Sequence, residues 1–324
     1  MQNQKYYHGL DLFKGSLILF VILGHVIRGQ LDETLSRYII YGFHMPLFIA
    51  VSGFLIDFDR LKKISYRQLF EKYFYRIIIP WILAVTVYYL ITAPKGFHPQ
   101  YYINGFIHPY YHLWYIPAIL FYVFLTALTV KIDISSKFLI VISLSISLVG
   151  YFAYLRPSSL SLFSNTFILT FCQTFRPQFY CFFCFGVYLR SNRKLLNINT
   201  FLLLLLSCVS IVSYILNFFN PNLILCITSF YTLNIFLVIL LVKVVTINKL
   251  PRVEFLEWIG INSLPIYLWH VLPLAFIESK YLKTENLLSF YSVCITSEVC
   301  TIALIAILIR FKLINKIVFG AISK

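Results

Sequence analysis

Ionisable side chains stand inside long apolar stretches of this 324-residue chain. They are Asp11, Lys14, His25, His44, Arg176, His270 and Glu298. An ionisable group is costly to place in hydrocarbon, so such residues mark proton relays, ligand pockets or catalytic sites inside a helix bundle. Each of them is therefore a candidate functional residue.

Lys14 and His25 are eleven positions apart, which is about three turns of α-helix. They share one helix face and lie roughly 16 Å apart along its axis. Asp11 reaches Lys14 at the i, i+3 spacing. The face thus joins an Asp/Lys pair to a histidine that can accept a proton. The structural alternative is a snorkelling Lys14 and a hydrogen-bonded core His25.

His44 places a second imidazole at a similar depth on the next, antiparallel stretch. Pro46, Ser52 and Gly53 follow it and permit a kink and a close backbone approach. Two histidines beside a helix break suit a proton-transfer site. No third ligand stands at metal-binding spacing, so we expect no metal.

Arg176 and Glu298 lie near the centres of two other apolar stretches. At matching depth, the two side chains can pair with one another. They can also line a ligand pocket. The residue types alone leave both alternatives open.

Membrane helices must position these residues. The residues AVILMFWYC make up 60% of the chain and charged residues 12%, whereas soluble domains are roughly 45–50% apolar and about 25% charged. This composition excludes a disordered chain and an ordinary cytosolic enzyme. We predict an all-α, multi-pass integral membrane bundle of about ten transmembrane helices in a single domain, 1–324. The predicted spans are 10–28, 38–57, 74–93, 111–130, 136–155, 167–189, 199–219, 222–246, 259–278 and 287–309.

The lysines and arginines other than Arg176 divide unevenly between the two ends of these spans. Twenty fall on the side that carries the chain termini, and six fall on the other side. Because cytoplasmic loops hold an excess of Lys and Arg, we predict that both termini are cytoplasmic. The net charge of +15 then reflects topology, and we expect no nucleic-acid partner.

Five short motifs follow one another along the chain. They are Gly9-Leu10-Asp11-Leu12-Phe13-Lys14-Gly15 with His25, Phe43-His44-Met45-Pro46-Leu47-Phe48 with Ser52-Gly53, Lys72 with Arg76 and Pro80, Leu113-Trp114-Tyr115-Ile116-Pro117, and Ser263-Leu264-Pro265-Ile266-Tyr267-Leu268-Trp269-His270. Together they resemble the acyltransferase 3 family, membrane proteins that mostly O-acetylate extracytoplasmic glycans. The second motif resembles the branch of fucose 4-O-acetylase-like enzymes. Lys14 stands where many members have arginine.

The resemblance implies an O-acetyltransferase of the bacterial plasma membrane that acts in polysaccharide biosynthesis. Its donor would be cytoplasmic acetyl-CoA, and its acceptor a hydroxyl of a cell-surface or lipid-linked glycan in the cell envelope. His25 would be the general base, and His44 would orient it or stabilise the oxyanion. Asp11 and Lys14 complete the implied catalytic set. An acyl-histidine relay stays open.

The donor's phosphates require a basic cytoplasmic mouth. The expected residues are Lys14, Arg76, Lys72 and Arg67, although positive-inside topology explains the last three equally well. On the acceptor side, the candidate substrate-binding residues are Trp114, Tyr267, His270, Glu298 and Arg176.

Two alternatives belong to other functional classes. A proton-coupled transporter or polysaccharide exporter would use Asp11, His25, His270 and Glu298 as a relay. Inverted repeats would favour it, and the sequence shows none. A polysaccharide-assembly scaffold with a degenerate site is the third hypothesis, and the retained Lys14, His25 and His44 argue against it.

Overall fold

The computed structural model describes residues 8–92, 96–155, 166–247, 250–281 and 287–321. All regular structure in these ranges is helical. The α-helices are α1 (His8–Val26), α2 (Leu35–Phe54), α3 (Phe58–Lys63), α4 (Tyr66–Tyr73), α5 (Ile79–Thr92), α6 (Pro99–Ile107), α7 (Tyr115–Lys131), α8 (Ser136–Leu155), α9 (Thr166–Phe175), α10 (Tyr180–Ser191), α11 (Thr200–Phe219), α12 (Leu223–Ile247), α13 (Glu254–Ile261), α14 (Ser263–Trp269), α15 (Val271–Tyr281), α16 (Leu287–Leu308) and α17 (Lys312–Ile317). A π-helical turn, Phe74–Ile78, joins α4 to α5.

The all-helical prediction is confirmed for the described residues. Within them, six helices are long and apolar enough to cross a membrane. These are Gly9–Val26, Tyr66–Thr92, Ser136–Leu155, Thr200–Phe219, Leu223–Thr246 and Leu287–Leu308. Shorter apolar helices cover Tyr115–Lys131, Thr166–Phe175 and Ser263–Ala275. The count of about ten spans stays a prediction.

Two of the predicted spans are broken, and proline explains both corrections. The span 167–189 divides into α9 and α10 at Arg176, because the residue before Pro177 is disfavoured in the α conformation. The span 259–278 divides into the end of α13, α14 and α15. Pro265 and Pro273 lack the N–H that a continuous helix would need, and each lies in the first turn of a new helix, where none is needed.

The chain forms two compact units, and each draws on three separate stretches. The first unit comprises the described residues of 1–61, 133–144 and 179–263. Within it, the main chains of α1 and α13 touch. A Cβ on Gly15 would overlap the carbonyl of Leu256, and one on Gly260 would overlap the carbonyl of Asp11.

A second glycine pair joins α2 to α10 in the same unit. A Cβ on Gly53 would overlap the carbonyl of Phe183, and one on Gly186 would overlap the carbonyl of Ala50. Small residues permit such close packing between membrane helices. The close approach predicted at Gly53 is therefore confirmed, whereas the predicted helix break is wrong, because α2 continues from Leu35 to Phe54 with Pro46 inside it.

The second unit comprises the described residues of 62–132, 145–178 and 264–324. Lys131, at the end of α7, donates to the carbonyl of Ile64 at 2.6 Å and lies over the ring of Tyr66. The hydroxyl of Thr174, near the end of α9, donates to the carbonyl of Ile107. The contact of Lys131 with Ile64 joins two segments that the charge pattern places on the same side.

Which side is cytoplasmic stays a prediction. Several of the basic residues used for it lie outside the described residues or have side chains that are not described. They are Lys5, Lys95, Arg156, Lys249, Lys280, Lys283 and Lys324. The chain ends, 1–7 and 322–324, also lie outside the described ranges.

Gly186→Ala is expected to destabilise the protein, because the new methyl group overlaps the main chain of α2. Overpacking of this kind costs about 1–3 kcal/mol. The apparent Tm of the purified protein in detergent measures the effect. Val209→Ala, on an exposed position of α11, is the control. An unchanged Tm in Gly186→Ala would contradict the tight α2–α10 contact.

Candidate active site

The first turns of α1 hold an ion pair. The ammonium group of Lys14 lies 2.6 Å from a carboxylate oxygen of Asp11, and both side chains are mostly buried. The predicted i, i+3 contact is confirmed. Because the carbonyl of Asp11 rests against Gly260, the α1–α13 packing fixes the backbone that carries this pair.

His25 lies in the last turn of α1. Its ring centroid is 6.4 Å from that of Tyr41 on α2, and the Tyr41 centroid is 5.1 Å from that of His44. One tyrosine therefore contacts both candidate imidazoles edge to face. The guanidinium of Arg37 lies over the same tyrosine ring, 5.3 Å from its centroid. Sequence reasoning missed Tyr41, whose signal is its position one helical turn before His44.

His44 is buried, and its Nδ1 lies 2.6 Å from the carbonyl oxygen of Ile40. A carbonyl oxygen only accepts, so Nδ1 must carry the proton in this contact. The neutral ring then presents Nε2 as its proton-accepting atom. The helix backbone thus selects the tautomer of this histidine.

A second pair of histidines lies in the second unit. His112 and His270 are buried, with ring centroids 4.5 Å apart. Nε2 of His112 donates to the carbonyl of Tyr267, and Nδ1 of His270 faces the carbonyls of Ile266 and Tyr267 at 3.0 Å. His112 was not predicted. The available signal was its place directly before the Leu113-Trp114-Tyr115 motif.

Tyr267 is buried in the second unit. Only 2% of it is exposed, and its hydroxyl donates to the carbonyl of His112. Its ring packs against Tyr115, with the centroids 5.2 Å apart. Tyr267 therefore holds α14 against the start of α7 and positions His112.

Glu298 lies on α16 and is 4% exposed. Neither of its carboxylate oxygens has a hydrogen-bond partner among the described residues. The guanidinium of Arg176 lies instead over the rings of Trp114 and Tyr154, at 5.3 and 5.5 Å from their centroids. The alternative of an Arg176–Glu298 ion pair is therefore wrong.

Arg176 occupies the break between α9 and α10 with a φ of 46°. Left-handed backbone at a non-glycine residue costs on the order of 1–3 kcal/mol and persists only where the surroundings enforce it. The hydroxyl of the buried Tyr122 donates to the carbonyls of Phe175 and Arg176. The Thr174 contact with Ile107 anchors the same segment.

A pocket of about 320 Å³ lies beside this break, entirely within the second unit. Its lining residues are His108, Pro109, Tyr111, Trp114, Ala153, Tyr154, Leu169, Cys172, Gln173 and Arg176. Two predicted substrate-binding residues, Trp114 and Arg176, thus meet in one cavity. Tyr267, His270 and Glu298 are not among its lining residues.

Three of the predicted coenzyme-binding residues, Arg67, Lys72 and Arg76, are exposed. Arg67 pairs with Glu71 at 2.9 Å on the surface of α4, and Lys72 lies over the ring of Tyr73. Arg76 lies in the π-helical turn between α4 and α5. Their exposure suits a phosphate contact and equally suits a solvated, positive-inside segment.

Comparison with known proteins identifies the family. The family model described as "Acyltransferase domain" (Acyl_transf_3) matches residues 7–306, which include every candidate site residue named above. The chain belongs to the acyltransferase 3 family. Acyltransferase 3 proteins are membrane proteins, in agreement with the apolar helices. No solved structure matches the chain significantly.

Two curated relatives match parts of this acyltransferase 3 chain. Nodulation protein NolL of Mesorhizobium japonicum is 33% identical over 90 residues, which are 26% of this chain and 24% of the relative. Nodulation protein NolL of Sinorhizobium fredii is 29% identical over 141 residues, which are 40% of this chain and 38% of the relative. The chain thus matches less than half of either relative.

Replacing Glu298 tests how its carboxylate is held in this acyltransferase 3 chain. The ionised form of a carboxyl group is costly to bury without a partner, so Glu298→Gln, which cannot ionise, is expected to raise the apparent Tm by about 2–4 °C at alkaline pH. Glu71→Gln, which alters an exposed ion pair, is the control with little expected change. A lower Tm in Glu298→Gln would show that the carboxylate makes stabilising contacts.

Proposed function

We propose that the protein is an O-acetyltransferase of the bacterial inner membrane. It transfers the acetyl group of cytoplasmic acetyl-CoA to a hydroxyl of a cell-surface or lipid-linked glycan. One observation carries the proposal: within the family match, α1 holds the buried Asp11–Lys14 pair near one end and His25 in its last turn. The proposed enzyme crosses the membrane about ten times and has both termini in the cytoplasm.

In the proposed reaction, His25 accepts the proton of the acceptor hydroxyl as its oxygen attacks the thioester carbonyl. The new C–O bond gives a tetrahedral oxyanion. When this intermediate collapses, the C–S bond breaks and the proton on His25 passes to the leaving thiolate of coenzyme A. The products are the acetylated glycan and free coenzyme A.

Tyr41 and His44 support this step in the proposal. The Tyr41 ring contacts both imidazoles and so limits how each can rotate. His44 donates its Nδ1 proton to the carbonyl of Ile40. In the proposed reaction it orients His25 or, when its Nε2 is also protonated, stabilises the oxyanion. The fixed tautomer reduces the reorganisation required during the reaction.

On the donor side, Lys14 is the proposed contact for an anionic group of acetyl-CoA. A lysine provides a compact charge without the planar fork of an arginine. Asp11 holds that charge in place at 2.6 Å. Arg67, Lys72 and Arg76 provide the basic cytoplasmic surface at which the coenzyme first binds.

His25→Ala is expected to abolish glycan O-acetylation. In a strain whose own gene is deleted, wild type would restore O-acetyl groups on the surface glycan and His25→Ala would not. The O-acetyl content per unit of exported glycan measures the effect. His98→Ala, which removes an exposed imidazole, is the matched control and should restore acetylation.

Unchanged acetylation in the deletion strain and in the His25→Ala strain would contradict the enzyme proposal. Loss of exported glycan, with normal acetylation of the glycan that remains inside the cell, would favour the exporter. Immunoblots of the membrane fraction establish that each variant is inserted at wild-type amounts.

Lys14→Gln is expected to raise the acetyl-CoA concentration for half-maximal rate by about tenfold, since a charge-assisted contact is lost. Lys14→Arg keeps the charge and should change it much less. Acetyl-CoA dependence of acetyl transfer in membranes measures both. If the Asp11–Lys14 pair is only structural, the double variant Asp11→Asn/Lys14→Gln should restore the wild-type acetyl-CoA concentration for half-maximal rate. That result would contradict a donor-binding role for Lys14.

A further inference from the structure

We propose that the pocket around Arg176 binds an anionic sugar unit of the acceptor, one that carries a carboxylate or a phosphate group. This inference rests on the proposed function, because it names the class of acceptor that the enzyme takes. It concerns binding only and requires no particular acyl-transfer mechanism.

The first argument is charge. Arg176 is the one permanently charged residue that lines the pocket, and the described lining contains no aspartate or glutamate. Arg176 also has no ion pair in the described part of the chain. A guanidinium in a partly enclosed cavity attracts an anion strongly when no protein carboxylate neutralises it.

The second argument is preorganisation of the guanidinium. Trp114 and Tyr154 both contact it through their ring faces, which restricts its orientation. Its Nε is buried and has no hydrogen-bond partner among the described residues. The planar fork of a guanidinium matches the two oxygens of a carboxylate or phosphate, and the Nε of Arg176 is a donor without a partner among the described residues.

The third argument is the backbone. Three non-glycine residues in the described ranges have positive φ, namely Tyr111, Asp133 and Arg176. Two of them, Tyr111 at 45° and Arg176 at 46°, line this pocket. Conformations of this kind concentrate at functional sites because the surrounding structure must hold them in place.

The fourth argument is the shape and chemistry of the walls. A volume of about 320 Å³ is at the lower end of the range for small-ligand sites, and suits one sugar unit. Tyr111, Trp114 and Tyr154 offer aromatic surface for the apolar face of a pyranose ring. His108 and Gln173 offer exposed polar groups for its hydroxyls.

The position of the pocket agrees with an acceptor that arrives from outside the cell. Its lining comes from the segment before α7, the end of α8 and the C-terminal part of α9 with the following break. The charge pattern predicts the first two of these to be extracytoplasmic. A surface glycan reaches that side without crossing the membrane.

Saturation-transfer NMR on the 324-residue chain in nanodiscs tests the proposal. The probes are methyl β-D-glucuronide, glucose 6-phosphate and the neutral methyl β-D-glucoside. We expect a signal from at least one anionic sugar and a signal at least about fivefold weaker from the glucoside. The stronger of the two anionic signals identifies the preferred anion.

Arg176→Gln should reduce the signal of the bound anionic sugar by about tenfold, and Arg176→Lys should give an intermediate value. Trp114→Phe, which keeps an aromatic face, should retain binding. Arg310→Gln, an exposed position beyond α16, is the matched control with an unchanged signal. Size-exclusion profiles and Tm establish that each variant is folded.

Equal signals from the neutral and anionic sugars would overturn the inference, as would an unchanged anionic signal in folded Arg176→Gln. The result also separates this inference from the proposed function. Arg176-dependent binding in a protein whose His25→Ala variant leaves acetylation unchanged would support the pocket while the enzyme proposal fails. Acetylation that requires His25, without binding of any anionic probe, would do the reverse.

Discussion

The contact between the main chains of α1 and α13 is the constraint on which the candidate active site depends. Gly15 and Gly260 remove two side chains from the interface, so that the Asp11 carbonyl rests directly on the partner helix. Without a hydrophobic drive between helices in lipid, close packing of this kind holds them together. The Asp11–Lys14 ion pair is therefore carried by a stretch of α1 backbone that the contact with α13 holds in place.

Backbone carbonyls accept hydrogen bonds from several buried histidine rings. His44 places Nδ1 against a carbonyl one turn earlier in α2, and His270 places Nδ1 against carbonyls of α14, which it directly follows. His112 donates to the carbonyl of Tyr267. Side-chain to backbone bonds of this type need no second charged residue in the bilayer. They also fix the tautomer of each ring, which free imidazoles in water exchange readily.

The sequence predicts the long helices well, whereas it does not predict the helix break at Arg176 or the contacts of Tyr41. Hydropathy located α8, α11, α12 and α16 closely, because long apolar runs in lipid have one stable form. The break at Arg176 was missed, since hydropathy continues across it and only Pro177 signals it. Tyr41 was missed because its contact with His25 joins α2 to α1, and helix periodicity carries no information on a contact between two helices.

The division of the chain into two compact units separates two sets of candidate functional residues. The glycine contacts, the Asp11–Lys14 pair and His25 belong to one unit, whereas the Arg176 pocket belongs to the other. Substitutions among the exposed residues that line the pocket, such as His108 and Gln173, leave the α1–α13 interface intact. If the pocket binds the acceptor as proposed, substitutions in its lining can therefore change what it recognises without altering a residue proposed for proton transfer.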